Sequence, residues 1–130
     1  MDQQPILILT TGGTIDKAYF DALSEYQITD TAVGELLAEA RVARPFRVVE
    51  LMRKDSLDLT DEDRALITAA ARSAPESRIV ITHGTDTMTD TAKVLAGVPG
   101  KTIVLTGALA PARFAQSDAA FNLGMAVAAA

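Results

Sequence analysis

The sequence predicts an α/β fold, a three-layer α/β/α sandwich built around a parallel sheet. Four short runs rich in β-branched and aliphatic residues alternate with helical patterns, at residues 6–10, 46–51, 78–82 and 102–106. This alternation is typical of parallel strands joined by helical crossovers. The inner runs are almost continuously apolar, as expected for strands buried on both faces. We therefore expect a flavodoxin-like or Rossmann-like sheet with right-handed crossovers and strand order 2-1-3-4.

Capping residues indicate where the helices between these strands begin. The predicted helices run from Asp30 or Thr31 through Arg41, from Thr60 through Arg72, from Asp86 or Thr87 to Ala96 before Gly97, and from Ser117 and Asp118 onward. In the second helix, residues at amphipathic spacing predict the face that packs on the sheet. That predicted face consists of Ala65, Leu66, Ala69 and Ala70.

The last helix is apolar on nearly every side. Its sequence from residue 119 onward is AAFNLGMAVAAA, without a capping glycine or a cation in the final turn. Such a helix buries well only under more protein, although a short helix that frays is the alternative. We therefore expect a chain truncated from a longer architecture, or one completed by oligomerisation. An uncovered fourth strand also favours association.

The length and composition are those of a single domain, residues 1–130. Of its residues, 48% are hydrophobic and 22% charged, which suffices for one core and for solubility. The net charge of −5, with scattered cations, argues against a nucleic-acid partner. The absence of cysteine and the single histidine argue against disulfides and a zinc site. Because the N-terminus lacks a basic segment and a long apolar run, we expect a cytoplasmic protein without a membrane partner.

Small polar residues follow each of the four predicted strands. These stretches are TTGGTI at 10–15, RKDS at 53–56, HGTDTM at 83–88 and TGALAP at 106–111. Because the carboxyl ends of parallel strands meet at one edge of the sheet, the stretches should form one polar crevice. Threonine there can act as a nucleophile beside a base, and neighbouring glycines leave backbone N–H groups exposed to an oxyanion. The helix that begins near Asp86 would favour an anion at Thr85.

Two other kinds of site fit this crevice less well. The first loop lacks both the GxxxxGK[ST] and the GxGxxG spacing of a nucleotide site. A Ser-His-Asp triad built on His83 with Ser56 or Ser117 is conceivable, but GxSxG is absent. A lone histidine at the end of a strand is more often structural, so we interpret His83 as structural.

Three motifs together resemble the bacterial-type L-asparaginases, a family that includes glutaminase-asparaginases. They are TGGTI at 11–15, HGTDTM at 83–88 and TGALAPARFAQSDAAFNL at 106–123. The opening TTGGTIDKAYFDALSEYQ is most similar to short asparaginases that have little beyond the N-terminal domain. The resemblance implies hydrolysis of L-asparagine to L-aspartate and ammonia by two-step acyl transfer, without metal or cofactor. It also implies a homodimer or homotetramer.

The resemblance assigns the catalytic roles residue by residue. Thr14 would be the nucleophile, and Tyr19 would assist its deprotonation, although Tyr26 could take that place. Thr85 would be the second catalytic threonine, paired with Asp86, and the amides of Thr14 and Thr85 would form the oxyanion hole. Structural alternatives remain, because Thr14 could only bond its own loop and Asp86 could be an early-helix acid.

The resemblance also assigns substrate contacts. Asp86 would hold the substrate ammonium group, Ser56 its α-carboxylate, and the carbonyl of Ala108 its amide NH2. Ser56 could instead be only a residue of the turn into the next helix. Leu57 stands where many family members have glutamine, so one donor near the substrate is missing. The preference for asparagine over glutamine stays open, because one methylene is worth only a modest factor.

Two further departures motivate alternative functions. The family's catalytic lysine lies in a strand beyond the last helix, and no lysine follows Lys101 here. Full-length members also complete the site with an acid from a second domain. A second hypothesis is therefore a catalytically incomplete domain that binds amino-acid ligands or serves in assembly. A third, the amide-hydrolysing subunit of a tRNA-dependent amidotransferase, is disfavoured by the lack of a basic surface stretch.

Overall fold

The computed structural model of the protein describes residues 4–16 and 32–130. Tyr19 and its alternative Tyr26 lie outside the described residues, as do the capping candidates Asp30 and Thr31. The predictions for these four residues therefore stay predictions.

The described part of the chain is built around one four-stranded parallel sheet. Its strands are β1 (Ile6–Thr10), β2 (Phe46–Glu50), β3 (Arg78–Thr82) and β4 (Thr102–Thr106). The strand order is β2-β1-β3-β4, and every neighbouring pair is parallel. The predicted fold class and strand order are confirmed, and β2 ends one residue earlier than predicted. The polar stretches therefore leave the sheet side by side at one edge.

Among the described residues, three helices and two short 3₁₀ turns lie between the strands, and a fourth helix follows β4. The helices are α1 (Ala32–Glu39), α2 (Asp61–Ser73), α3 (Met88–Leu95) and α4 (Ala119–Ala129), and the turns are Thr14–Asp16 and Ser56–Asp58. Thr60 caps α2 as predicted, because its side chain and that of Asp63 each accept from the other's backbone N–H. Helix α1 ends two residues before the predicted Arg41, which adopts a left-handed φ of 52°.

The helices cover both faces of the sheet and complete the predicted three layers. Successive residues of a strand point to opposite faces, so β1 contributes to two cores. On one face, Ile6 and Ile8 pack with residues of α1 and α4, among them Val33, Leu37, Leu123 and Ala126. On the other face, Leu7 and Leu9 pack with residues of α2 and α3, among them Ile67, Ala71 and Leu95.

The predicted sheet-facing side of α2 is wrong for three of its four residues, and Ala70 alone of the four packs against the core, partly buried. Ile67 and Ala71 are fully buried against the sheet, whereas Leu66 is 51% exposed and Ala65 and Ala69 are also exposed. Both rows of residues have helical spacing, so spacing alone does not decide the rotation of the helix. Arg64 lies on the same side of α2 as Ile67 and Ala71, and its side chain bonds to Thr87 and Thr91 at the start of α3.

Helix α4 has an exposed apolar surface, as its sequence predicts. Leu123 and Ala126 are buried, whereas Phe121 is 71% and Met125 is 59% exposed. Among the described residues, no helix combines the length and the apolar character needed to cross a membrane.

Candidate active site

Hydrogen bonds to backbone carbonyls continue beyond the strands and bring the four polar stretches together. The hydroxyl of Thr11 donates to the carbonyl of Thr82 at 2.7 Å. The amide of Lys54 donates to the carbonyl of Thr11 at 3.0 Å, and the amide of His83 to the carbonyl of Thr106 at 2.9 Å. Each loop is therefore held against its neighbour.

Glycines allow these loops to touch. Gly13 has a φ of +86°, and a Cβ built there would lie 2.6 Å from the backbone nitrogen of Gly84. A Cβ on Gly84 would in turn lie 2.8 Å from the Oγ of Ser56. Only a residue without a side chain fits either position, so these glycines serve close backbone approach.

A cleft of about 310 Å³ lies at this edge of the sheet. It is lined by Gly13, Thr14, Asp55, Ser56, Leu57, Asp58, Gly84, Thr85 and Asp86. Four of the predicted site residues, Thr14, Ser56, Thr85 and Asp86, are thus brought together. Ala108 is not among the lining residues, because it is buried in a small cluster with Ile15 and Ala119.

The turn that carries Thr14 is anchored at three points. Ile15 is fully buried, and its carbonyl accepts from the amide of Ala112 at 3.1 Å. The amide of Asp16 donates to the carbonyl of Gly13 at 3.2 Å, and its carboxylate accepts from the amide of Ala32 at 3.0 Å. The backbone at Thr14 is therefore fixed against the core and against α1.

Ser56 is tied to the loop that follows β3. Its Oγ accepts from the amide of Thr87 at 3.3 Å, and its carbonyl accepts from the hydroxyl of Thr87 at 2.8 Å. Only 2% of Ser56 is exposed. Since its Oγ is an acceptor in this contact, its hydroxyl hydrogen can still be donated to a ligand in the cleft.

The remaining polar side chains of the predicted site have no such ties. The side chains of Thr14, Thr85 and Asp86 form no hydrogen bond with residues 4–16 or 32–130. Thr85 and Asp86 are exposed, and Thr14 is partly exposed. Two hydroxyls and one carboxylate therefore face the cleft with their bonding capacity unused within the described chain.

His83 is structural, as interpreted from the sequence. The residue is fully buried, with Nδ1 at 2.6 Å from the carbonyl of Gly84 and Nε2 at 2.7 Å from the hydroxyl of Thr91. Burial lowers the pKa of His83, and the charge of Arg64 lowers it further, against the opposing effect of the bond to Gly84. The lowered pKa favours the neutral ring, and both ring nitrogens are occupied by these contacts, so no Ser-His-Asp triad forms on it.

Arg64 is a supporting residue that sequence reasoning missed. Its Nε donates to the hydroxyl of Thr91 at 3.0 Å, and one Nη donates to the hydroxyl of Thr87 at 2.9 Å. The other Nη donates to the carbonyl of Leu59 at 3.3 Å. The available signal was a cation one turn after the cap Thr60, on a helix that packs on the sheet.

Asp118 has a role that the sequence does not predict. It precedes α4 as predicted, but its side chain does not cap that helix. The carboxylate instead accepts from the amides of Leu109 and Ala110, at 2.9 and 3.1 Å, and from the Nδ2 of Asn122 at 2.9 Å. The two amide bonds lower the pKa of Asp118. Asp118 therefore fixes the loop after β4.

The cleft carries an excess of negative charge. Asp55, Asp58 and Asp86 line it, and its described lining includes no lysine or arginine. The nearby Lys54 pairs with Asp63 at 2.9 Å. Within the part of the chain that the structure describes, no group of three or more histidine or acidic side chains is placed to hold a metal ion. The charge distribution suits a ligand that carries an ammonium group.

Comparison with known proteins places the chain in a family. The family model described as "Asparaginase, N-terminal" matches residues 5–130. The L-asparaginase of Thermococcus kodakarensis is 34% identical over 132 residues, which cover 94% of this chain and 39% of that protein. A Haemophilus influenzae protein named "Probable L-asparaginase periplasmic" is 32% identical, over 97% of this chain and 38% of its own length.

Solved structures of L-asparaginases contain the same fold as this chain. The thermostable L-asparaginase from Thermococcus kodakarensis superposes with a TM-score of 0.81 and 31% identity, covering 95% of this chain and 39% of that one. L-asparaginase I from Vibrio cholerae gives a TM-score of 0.79 and 31% identity, covering 98% of this chain and 41% of that one. The chain spans about two fifths of the length of these relatives. It belongs to the asparaginase family and matches that family's N-terminal domain.

Proposed function

We propose that this chain acts as an L-asparaginase-type amidohydrolase that converts L-asparagine to L-aspartate and ammonia. The observation that carries the proposal is that Thr14, Thr85 and Asp86 line one cleft with side chains that make no other bond in the described chain. The names of the relatives support the same activity. We assign Thr14 as the nucleophile, since its side chain faces the cleft from a turn that is anchored to the core and to α1.

The proposed reaction has two steps. The Oγ of Thr14 attacks the side-chain amide carbon, and the C–N bond breaks as the nitrogen takes up a proton and leaves as ammonia. Water, which we propose is oriented by Thr85, then attacks the acyl-enzyme, releases L-aspartate and restores the Thr14 hydroxyl. Backbone amides of Thr14 and Thr85 would stabilise the oxyanion in both steps. Tyr19, outside the described residues, is proposed to assist the first proton transfer.

Charge and hydrogen bonding support an amino-acid substrate. We assign the substrate ammonium to Asp86, in a cleft that Asp55 and Asp58 make more negative. The free hydroxyl hydrogen of Ser56 would bind the α-carboxylate. The carbonyl of Ala108 is proposed to receive the amide NH2. We propose a cytoplasmic homodimer or homotetramer, with the exposed Phe121 and Met125 of α4 favouring association.

The test is ammonia release from L-asparagine by the purified chain and two matched variants. Thr14→Val removes the nucleophile at constant size and should lower turnover on the order of 10³-fold or more. Thr102→Val changes an exposed threonine at the opposite end of β4 and should leave turnover unchanged. Circular dichroism checks that each variant is folded. Turnover that persists in the Thr14→Val variant would refute Thr14 as nucleophile.

A second candidate is a domain that binds amino-acid ligands without hydrolysing them, or that serves in assembly. The exposed apolar surface of α4 and the apolar Leu57 in the cleft favour it. Calorimetric binding of L-asparagine without ammonia release would support this candidate. Robust release of ammonia from L-asparagine would rule out this second candidate.

A further inference from the structure

Arg64 connects two of the three loops that line the cleft, those that follow β2 and β3. Its guanidinium bonds to Leu59 at the end of the loop after β2, and to Thr87 and Thr91 in and after the loop that follows β3. Thr87 is itself bonded to Ser56 in the loop after β2. Neither Arg64 nor its partners Leu59, Thr87 and Thr91 are among the cleft-lining residues. Arg64 can therefore act on the cleft only through other side chains.

The hydrogen bonds around Arg64 determine the tautomer of His83. The carbonyl of Gly84 can only accept, so Nδ1, at 2.6 Å, must carry a hydrogen. The hydroxyl of Thr91 accepts from Arg64 Nε, which leaves its single hydrogen to donate to Nε2 of the neutral ring. Arg64, Thr91 and His83 thus form a relay of hydrogen bonds with one consistent direction, which ends at the carbonyl of Gly84.

The end of this relay sets the direction of a backbone N–H group. No cis peptide bond occurs among the described residues, so the carbonyl of Gly84 and the amide of Thr85 point in opposite directions across one planar peptide. His83 holds that carbonyl against its buried ring. The N–H of Thr85 consequently points away from the ring, and both Gly84 and Thr85 line the cleft.

We propose that Arg64 is a positioning residue for the amide hydrolysis, holding the Thr85 N–H toward the cleft through Thr91 and His83. This inference rests on the proposed function, in which that N–H stabilises the oxyanion. The guanidinium is suited to the task because its planar donors bond several acceptors in one fixed geometry. Arg64 also bonds to the hydroxyl of Thr87, which donates to the carbonyl of Ser56, so Arg64 supports the loop that carries Ser56 as well.

The first test reads the relay without any activity assay. The sequence contains a single histidine, so long-range ¹H–¹⁵N correlation spectra of the ¹⁵N-labelled chain report on His83 alone. We expect hydrogen on Nδ1 and a bare Nε2 in the wild type. Thr91→Val and Arg64→Met should shift the Nε2 resonance or mix the tautomers. A wild-type ring with hydrogen on Nε2, or a spectrum that neither variant changes, would overturn the relay.

The second test separates positioning from simple stability. Arg64→Met should lower kcat for L-asparagine by about 10- to 100-fold, as expected for a misdirected catalytic group, while KM changes less. Arg64→Lys should keep part of the activity that Arg64→Met loses. The control variant Arg72→Met removes an exposed arginine from the same helix and should keep the wild-type kcat. An Arg64→Met variant that melts earlier but keeps its kcat would overturn the proposal. Absence of turnover in the wild type would instead count against the proposed function, with the His83 spectrum still deciding the relay.

Discussion

Ser56 and Thr87 are joined by two hydrogen bonds that run in the same direction, from Thr87 to Ser56. The amide of Thr87 donates to Ser56 Oγ at 3.3 Å, and its hydroxyl donates to the Ser56 carbonyl at 2.8 Å. One residue thus holds both the backbone and the side chain of a cleft residue from another loop. The relative position of the two cleft walls depends on this pair.

Replacing Thr87 by valine tests that dependence. Thr87→Val keeps the shape of the side chain but removes the donor to Ser56 and the acceptor of Arg64. We expect the free energy of unfolding to fall by about 1–3 kcal/mol, because a partly buried charged donor loses its partner. Urea denaturation measures the change. The exposed Thr89→Val on α3 should stay within about 0.5 kcal/mol of wild type, and equal losses in both variants would contradict the prediction.

A methyl group at Gly13 should disrupt the contact between the loops that follow β1 and β3. At a φ of +86°, Gly13→Ala is strained and would place its Cβ 2.6 Å from the nitrogen of Gly84. We expect a destabilisation of about 2 kcal/mol or more in thermal or urea unfolding, with loss of any turnover. Gly124→Ala in the middle of α4 meets no atom within 4 Å and should stabilise the fold by about 0.5–1 kcal/mol. Similar effects of the two substitutions would show that Gly13 is not conformationally required.

The sheet was predictable because its signal is local and repeated. β-branched runs, polar strand ends and helix caps such as Thr60 each mark a boundary independently of tertiary contacts. The rotation of α2 was not predictable, because Leu66 and Ile67 both fit a helical stripe and the choice depends on what the helix packs against. Tertiary contacts therefore determine the rotation of α2 about its axis, which the periodicity of its sequence leaves open.

The cleft was predictable in outline for a similar reason. Parallel strands bring their carboxyl ends together, so Thr14, Ser56 and Thr85 had to converge once the strand order was right. The supporting bonds were not predictable, because Arg64 reaches Thr87 in a loop distant in sequence and Asp118 bonds back across its own loop instead of capping α4. The position of a charged residue near a helix cap does not by itself show which loop its side chain will bond.

Glu76 gives the fold a stability that depends on pH. Only 7% of Glu76 is exposed, and Arg47 binds its carboxylate through two nitrogens, at 2.5 and 2.9 Å. The hydrogen bonds from Arg47 lower the pKa of Glu76 in the folded chain. Its contribution to stability is therefore complete above about pH 4.3, which is the usual pKa of glutamate. The contribution is lost as the pH falls through the lower pKa that Glu76 has in the folded chain.

Glu76→Gln should remove this contribution. We expect the variant to be less stable than wild type at pH 7, and the gap to shrink as pH falls below about 4 because the wild-type carboxylate then becomes protonated. Urea unfolding of both proteins between pH 3 and 7 measures the gap. Glu62→Gln, at an exposed glutamate of α2, supplies the control for general charge effects. A gap for Glu76→Gln that is constant with pH would contradict the assignment.

Asp118 should control how firmly the loop after β4 is held. Asp118→Asn replaces two charged acceptor oxygens by one neutral oxygen, so the amides of Leu109 and Ala110 lose a charged acceptor and Leu109 loses one of its two acceptor oxygens. We expect faster hydrogen exchange at these two amides, measured by NMR, while β1 amides keep their protection. Asp90→Asn, an exposed acid on α3, should leave the Leu109 exchange rate unchanged. Unaltered exchange at Leu109 in the Asp118→Asn variant would refute the role.

Asp86 should select substrates by their ammonium group. Its carboxylate lines the cleft and makes no hydrogen bond within the described chain, so it is available to a ligand. Asp86→Asn should lower kcat/KM for L-asparagine by about 10- to 100-fold, as expected when a charged hydrogen bond is lost. Succinamic acid, which has the same amide and carboxylate but no ammonium, should be hydrolysed poorly by the wild type and lose little further activity in the variant. Ammonia release from both substrates by both proteins forms a complete cycle, with Asp90→Asn as the control for net charge. A loss of equal size for the two substrates would mean that Asp86 acts on the reacting groups and not on the ammonium.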